Sequence, residues 1–210
     1  MNLLAIAGTS FLLGFSGAMM PGPLLTLTIA ETVRRGAIAG PLLIFGHALL
    51  EGVLVVALFF GLARWVENPG VFLTIALLGG GMLVWMGVGM LRQLPSLRLQ
   101  LSGGEKTRLH PVPAGALVSM ANPYFTLWWA TVGLGYLLVA REAGAAGVLV
   151  FYLAHIAADL VWYSFVSGTV NVGRRFISDR VYRGMVAVCA VFLVGFGCYF
   201  GYCGLTQVNG

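Results

Sequence analysis

The sequence predicts an all-α integral membrane protein, with six transmembrane helices arranged as two inverted three-helix repeats. Three observations carry this prediction. Only 9% of the 210 residues are charged, 12 Lys or Arg and 7 Asp or Glu, while 59% are apolar and the mean hydropathy is +0.93. A soluble domain carries about 25% charged residues, so this chain has too little polar surface to clothe a particle in water. The charges are also spaced to suit a bilayer. Runs 1–30, 68–91, 109–140 and 184–210 are uncharged, each longer than the ~20 residues one spanning helix needs. Finally, the second half of the chain repeats motifs of the first in the same order.

The six spans fall near residues 8–31, 41–63, 71–92, 114–138, 144–168 and 185–205. The first holds Pro21-Gly22-Pro23 and stops before Arg34-Arg35. No Lys or Arg precedes its apolar run, so it reads as an uncleaved helix rather than a signal peptide. The second carries a single acid, Glu51, near its middle. Its run from Gly52 to Phe60 does not alternate polar and apolar residues, which excludes a strand of a membrane barrel. The third contains Gly79-Gly80-Gly81, suited to close helix packing. Asn122-Pro123 interrupts the fourth, Asp159 stands alone in the fifth, and Gly195, Gly197 and Gly201 pattern the sixth. Residues 1–92 form the first repeat, 93–113 a basic loop and 114–210 the second repeat.

Orientation follows from the basic residues. Arg34, Arg35, Arg92, Arg98, Lys106, Arg108, Arg174, Arg175, Arg180 and Arg183 lie in connections 1–2, 3–4 and 5–6, and only Arg64 and Arg141 lie on the other side. The positive-inside rule places those three loops in the cytoplasm and both termini outside. The net charge of +5 therefore reports topology and contact with anionic lipid. No basic, aromatic-interleaved face for nucleic acid is present.

At an offset of 100 residues, Met20, Pro23, Thr26, Leu27 and Ala30 meet Met120, Pro123, Thr126, Leu127 and Ala130. At an offset of 108, His47 and Glu51 meet His155 and Asp159. A unit with an odd number of spans must invert when duplicated, as in many secondary transporters.

Four side chains are candidates for chemistry. An ionised carboxylate at mid-bilayer costs on the order of 2.5–3.5 kcal/mol, so Glu51 and Asp159 are expected to face a cavity, a partner or a proton. His47 and His155 each precede an acid by four residues, which puts each pair on one helix face. The pairs suit either a proton relay lining a solute pathway or a divalent-metal site of His47, Glu51, His155 and Asp159. Pro21, Gly22, Pro23, Asn122 and Pro123 should break the first and fourth helices, and such breaks are tolerated where they line a cavity. The N–H groups of Leu24, Leu25, Tyr124 and Phe125 are then expected to face an anionic group, with Thr26 and Thr126 beside the pathway. The tryptophans read as belt or core residues, and residues 174–183 as a short basic surface helix. No nucleophile–base constellation, nucleotide loop or paired redox cysteines marks an enzyme, and no cofactor is expected.

Six spans, Pro21-Gly22-Pro23 followed by Arg34-Arg35-Gly36, a central basic loop, Asn122-Pro123 in the fourth span and Asp159 in the fifth resemble the lysine-exporter (LysE/RhtB-type) family of amino-acid efflux carriers. The resemblance covers essentially the whole chain. It implies export of amino acids or similar small solutes across the plasma (inner) membrane, driven by the proton motive force, by a small homo-oligomer. The chain departs from it at Tyr124, where many members carry Lys, and in the His47/Glu51 pair. The wider superfamily includes divalent-metal transporters, which keeps that alternative open.

Overall fold

The computed structural model describes residues 2–62, 69–96, 109–173 and 178–208. Arg64, Arg98, Lys106, Arg108, Arg174 and Arg175, used above for orientation, lie outside the described residues. Among the described residues every regular element is helical: α1 (Leu3–Ala18), α2 (Pro23–Arg35), α3 (Ala39–Ala57), α4 (Pro69–Gln93), α5 (Pro111–Met120), α6 (Pro123–Trp128), α7 (Leu134–Arg141), α8 (Gly144–Gly173) and α9 (Asp179–Val208). A π-helical turn, Leu58–Leu62, continues α3, and another, Trp129–Gly133, joins α6 to α7. Among the described residues, four stretches are long and apolar enough to cross a membrane, namely Ala39–Gly61, Pro123–Arg141, Gly144–Gly173 and Asp179–Tyr199. The pair α1–α2 makes a fifth if taken as one bent crossing.

The first expected helix is in fact two. α1 starts at Leu3, five residues earlier than the expected 8, and ends at Ala18; α2 leaves at 76° to it. The cause is Pro21-Gly22-Pro23: neither proline donates a backbone hydrogen bond, and Pro23 occupies the first helical position of α2, where its fixed φ starts a new helix. The fourth span, expected over 114–138, likewise begins at Pro111 and breaks at Ala121–Asn122 before Pro123 restarts it. The fifth and sixth run longer than expected, to Gly173 and from Asp179, so Arg180 and Arg183 belong to α9 rather than to a separate surface helix.

α2 stops at Gly36, whose φ of 81° is open to glycine at little cost. Just before it, buried Glu31 pairs with Arg34 at 3.2 Å and Arg35 at 2.5 Å. The outward surface is apolar: Leu4, Phe60, Trp85 and Val172 are all exposed. Polar groups such as Ser10, Thr28, Thr32, Ser119 and Ser167 are buried. Polarity faces inward, as expected of helices in lipid.

Packing pairs the helices crosswise. α1 lies on α8, α3 lies on α5 and on α8, and α4 packs along α9. Glycine permits the closest of these approaches. On α3, Gly46 sits against the Val112 carbonyl, and on α5, Gly115 sits against the Leu43 carbonyl, so any side chain at either position would drive the helices apart. Gly80 and Gly197 do the same reciprocally between α4 and α9, where an added Cβ would lie 2.7 and 2.6 Å from the other's carbonyl oxygen. Leu43, Ile44, Leu24 and Tyr163 form one apolar cluster, and Phe151, Leu137, Val55 and Trp129 another. The buried histidines and the acids Glu51 and Asp159 lie on α3 and α8, the helices that contribute to both clusters.

Candidate functional site

A helix returns to the same face every four residues or so, and α3 and α8 each present a His and an acid at that spacing. The two helices pack so that the pairs meet. Tyr152 of α8 donates its hydroxyl hydrogen bond to the Ala48 carbonyl at 2.8 Å and lies against Gly52, which sets the register between the helices.

The result is a closed ring of two imidazoles and two carboxylates. His47 Nε2 lies 3.1 Å from Glu51 Oε1 and 3.6 Å from Asp159 Oδ2. His155 Nε2 lies 3.3 Å from the same Glu51 oxygen and 3.5 Å from the same Asp159 oxygen. All four residues are buried, Glu51 to 1% exposure and Asp159 and His155 to 4%. The ring draws one pair from each half of the chain.

Two residues read from sequence as core or not singled out complete the polar network. The Trp129 indole N–H donates to Glu51 Oε1 at 2.8 Å, and the Ser119 hydroxyl bonds His47 Nδ1 at 2.7 Å. Trp129 was expected in the belt or core; its buried N–H requires an acceptor, and Glu51 is the one within reach. Trp128 tilts over the His155 ring at 4.7 Å between centroids, and Phe125 meets His47 edge-on at 5.6 Å. Glu51 Oε2, Asp159 Oδ2 and His155 Nδ1 are buried with no hydrogen-bond partner. Buried polar atoms are rarely left so, and these mark where a ligand's polar groups would be welcomed.

A cavity of about 60 Å³ opens on the ring, lined by His47, Glu51, His155 and Asp159 together with Gly22, Asn122, Tyr124 and the aromatic residues. The two helix breaks therefore meet at the site: a Cβ on Gly22 would lie 3.9 Å from Asn122 Nδ2. They do not present equivalent helix ends. Asn122 Oδ1 accepts from the Tyr124 N–H at 3.1 Å, and the Asn122 carbonyl accepts from the Phe125 N–H at 3.0 Å. The expectation that these two N–H groups are free for an anion is thus overturned by the Asn122 cap. α2 has Gly22 at its N-cap and no side-chain cap.

The remaining candidates lie elsewhere. Thr26 turns its hydroxyl back to the Gly22 carbonyl at 3.1 Å. With Pro23 it lines a separate cavity of about 360 Å³ between α2, α4 and α9, which also holds Met86, Met90 and Gln93. Thr126 is exposed, on the side of α6 away from the ring, and Pro21 and Pro123 shape the breaks without lining the cavity.

The comparisons agree with this reading of the chain as a membrane translocator. The family model of the LysE type translocators matches residues 15–204. A Bacillus subtilis (strain 168) protein named as amino acid efflux protein YcgF is 26% identical over 94% of this chain and 96% of its own length. The chemotactic transduction protein ChpE of Pseudomonas aeruginosa is 30% identical over 92% of this chain and 96% of its own. An uncharacterized membrane protein of the same organism, PA4757, is 25% identical over 85% and 87% of the two chains. No solved structure matches the chain. Helices that turn apolar faces outward and gather acids and histidines within are what a carrier of polar solutes requires, and the chain belongs to the LysE type translocator family, a multi-pass membrane protein.

Proposed function

We propose that the protein is a secondary carrier exporting amino acids or similar small solutes across the plasma membrane, driven by the proton motive force. The observation that carries this is the ring of His47, Glu51, His155 and Asp159, drawn from both halves of the chain and buried beside the two helix breaks. Its carboxylates offer a solute ammonium two acceptors, and a proton arriving at the same oxygens displaces the solute. The uncapped end of α2 at Gly22 suits the solute's carboxylate. The name of YcgF supports amino acids as the class of cargo.

The cavity of about 60 Å³ is smaller than the ~300–1,000 Å³ of ligand pockets in general, and holds roughly four waters. The carrier must therefore open to admit a solute. The crosswise packing favours a mechanism of two repeats rocking about the ring. α1 of the first half lies on α8 of the second, α5 of the second lies on α3 of the first, and α4 and α9 pair with each other. That exchange of partners supports the reading of an inverted duplication, with residues 1–92 and 114–210 as its proposed units and α4 as one of six crossings. The basic residues then put both termini outside.

The test is solute flux in proteoliposomes under an imposed pH gradient. Glu51→Gln combined with Asp159→Asn abolishes proton-dependent flux while the protein remains monodisperse and helical. Undiminished coupled flux in that variant overturns the proposal.

A further inference from the structure

We infer that the ring also forms a binding site for a divalent first-row transition-metal ion, with His47 Nε2, His155 Nε2, one Glu51 oxygen and one Asp159 oxygen as its four ligands. The inference uses the same residues as the proposed function and deepens that reading by naming a second ligand of the site.

The spacing distinguishes a metal shell from a hydrogen-bonded ring. Ligands at 2.0–2.1 Å from a tetrahedral zinc lie roughly 3.3–3.4 Å from one another. Four of the six edges of such a tetrahedron are measured here, at 3.1, 3.3, 3.5 and 3.6 Å. N–H···O hydrogen bonds prefer about 2.9–3.0 Å, so three of these contacts are long for hydrogen bonds and closer to the ligand–ligand spacing around a shared cation. His47, Glu51 and Asp159 offer ligand atoms all within 4.8 Å of one another; His155 stands outside that group, and its Nε2 must move toward the ion to complete the shell.

The surroundings are those of a built site. Glu51 Oε2 and Asp159 Oδ2 are buried and without hydrogen-bond partners. Metal-bound histidines usually donate their other ring N–H, and ligating carboxylates are usually hydrogen-bonded in turn. Ser119 occupies that position on His47 Nδ1, and Trp129 occupies it on Glu51 Oε1. In the metal-bound form both imidazoles would be neutral donors, and the ion's two charges would balance the two carboxylates in an apolar bundle. Two nitrogen ligands favour zinc, nickel, cobalt or manganese over calcium and magnesium, which take oxygen shells.

The experiment uses the full chain, purified in detergent, stripped with a chelator and titrated with Zn²⁺ by calorimetry. A single ion per chain is expected. Substituting Co²⁺ should give the intense visible absorption of a four-coordinate site. Glu51→Gln or His155→Ala should weaken Zn²⁺ binding more than about 100-fold, and Ser119→Ala, which removes no ligand but frees the His47 ring, about 10–100-fold. His110→Ala, at the α5 N-cap and away from the ring, should bind as wild type. Absence of Zn²⁺ binding by the wild-type chain overturns the inference, as does unchanged binding in His47→Ala with His155→Ala or a six-coordinate cobalt spectrum. Solute flux is read separately. Zinc binding without coupled flux overturns the carrier proposal alone, and coupled flux without zinc binding overturns the metal site alone.

Discussion

Trp129 donates its indole N–H to Glu51 Oε1 at 2.8 Å, a bond between residues 78 apart in the chain and both almost wholly buried. Trp129 opens the π-helical turn between α6 and α7. Such π-helical turns are frequent at functional sites. The bond ties the helix that follows the second break to the acid of α3. Any motion that opens the break must stretch or release it.

Trp129→Phe tests that tie. The ring's bulk is largely kept and only the donor is lost, leaving Glu51 Oε1 with its histidine contacts. Loss of a buried bond to a carboxylate costs about 1–3 kcal/mol, so the variant should unfold at a lower temperature in detergent and show slower coupled flux. Unchanged melting and unchanged flux would mean that the bond carries neither stability nor gating.

Much of this was legible from sequence because it depends on local periodicity. The His-x-x-x-acid pairs at His47/Glu51 and His155/Asp159 put each His and its acid on one helix face, but whether the two pairs meet was not legible in the sequence; helix packing brings them together. Pro23 and Pro123 marked true helix starts. The partners Ser119 and Trp129 were not legible, since each reaches its target across more than 70 residues through helix packing. Thr126 misled for a related reason. It matched Thr26 in the repeat, and α2 and α6 start at the equivalent Pro23 and Pro123, yet Thr26 lines a cavity between α2, α4 and α9 while Thr126 is exposed. The capping of Tyr124 was available locally: Asn before Pro is a common N-cap followed by proline at the first helical position, and Asn122 behaves so.

Asn122→Ala isolates that cap. It removes the acceptor for the Tyr124 N–H, at a cost of about 0.5–2 kcal/mol, and frees a donor beside the ring cavity. Asn122→Asp retains the acceptor and should keep most of the stability. A thermal melt that ranks wild type and Asp above Ala supports the capping role; equal melting of all three refutes it.

Gly14 of α1 lies against the His155 ring, where an added Cβ would come 2.6 Å from Nδ1. Gly14→Ala must push the imidazole or separate α1 from α8. The expected result is a folded, inserted protein whose coupled flux is strongly reduced. Gly8→Ala on the same helix meets nothing within 4 Å and should be silent. Equal flux in both variants would show that the position of His155 does not matter to transport.

Ser119 is the last residue but one of α5, just before the second break, and bonds His47 Nδ1, so it fixes which way that imidazole turns its Nε2. A histidine ring held at one nitrogen presents the other in a defined orientation and protonation state. Ser119→Ala leaves His47 Nδ1 buried without its partner, at a cost of about 1–3 kcal/mol, and lets the ring swing away from Glu51 and Asp159. Coupled flux should fall several-fold at fixed pH gradient. Ser119→Thr keeps the hydroxyl and should restore it, which a general loss of packing at the α5 end would not allow. Failure of Thr to rescue, with both variants equally stable, would remove Ser119 from the site.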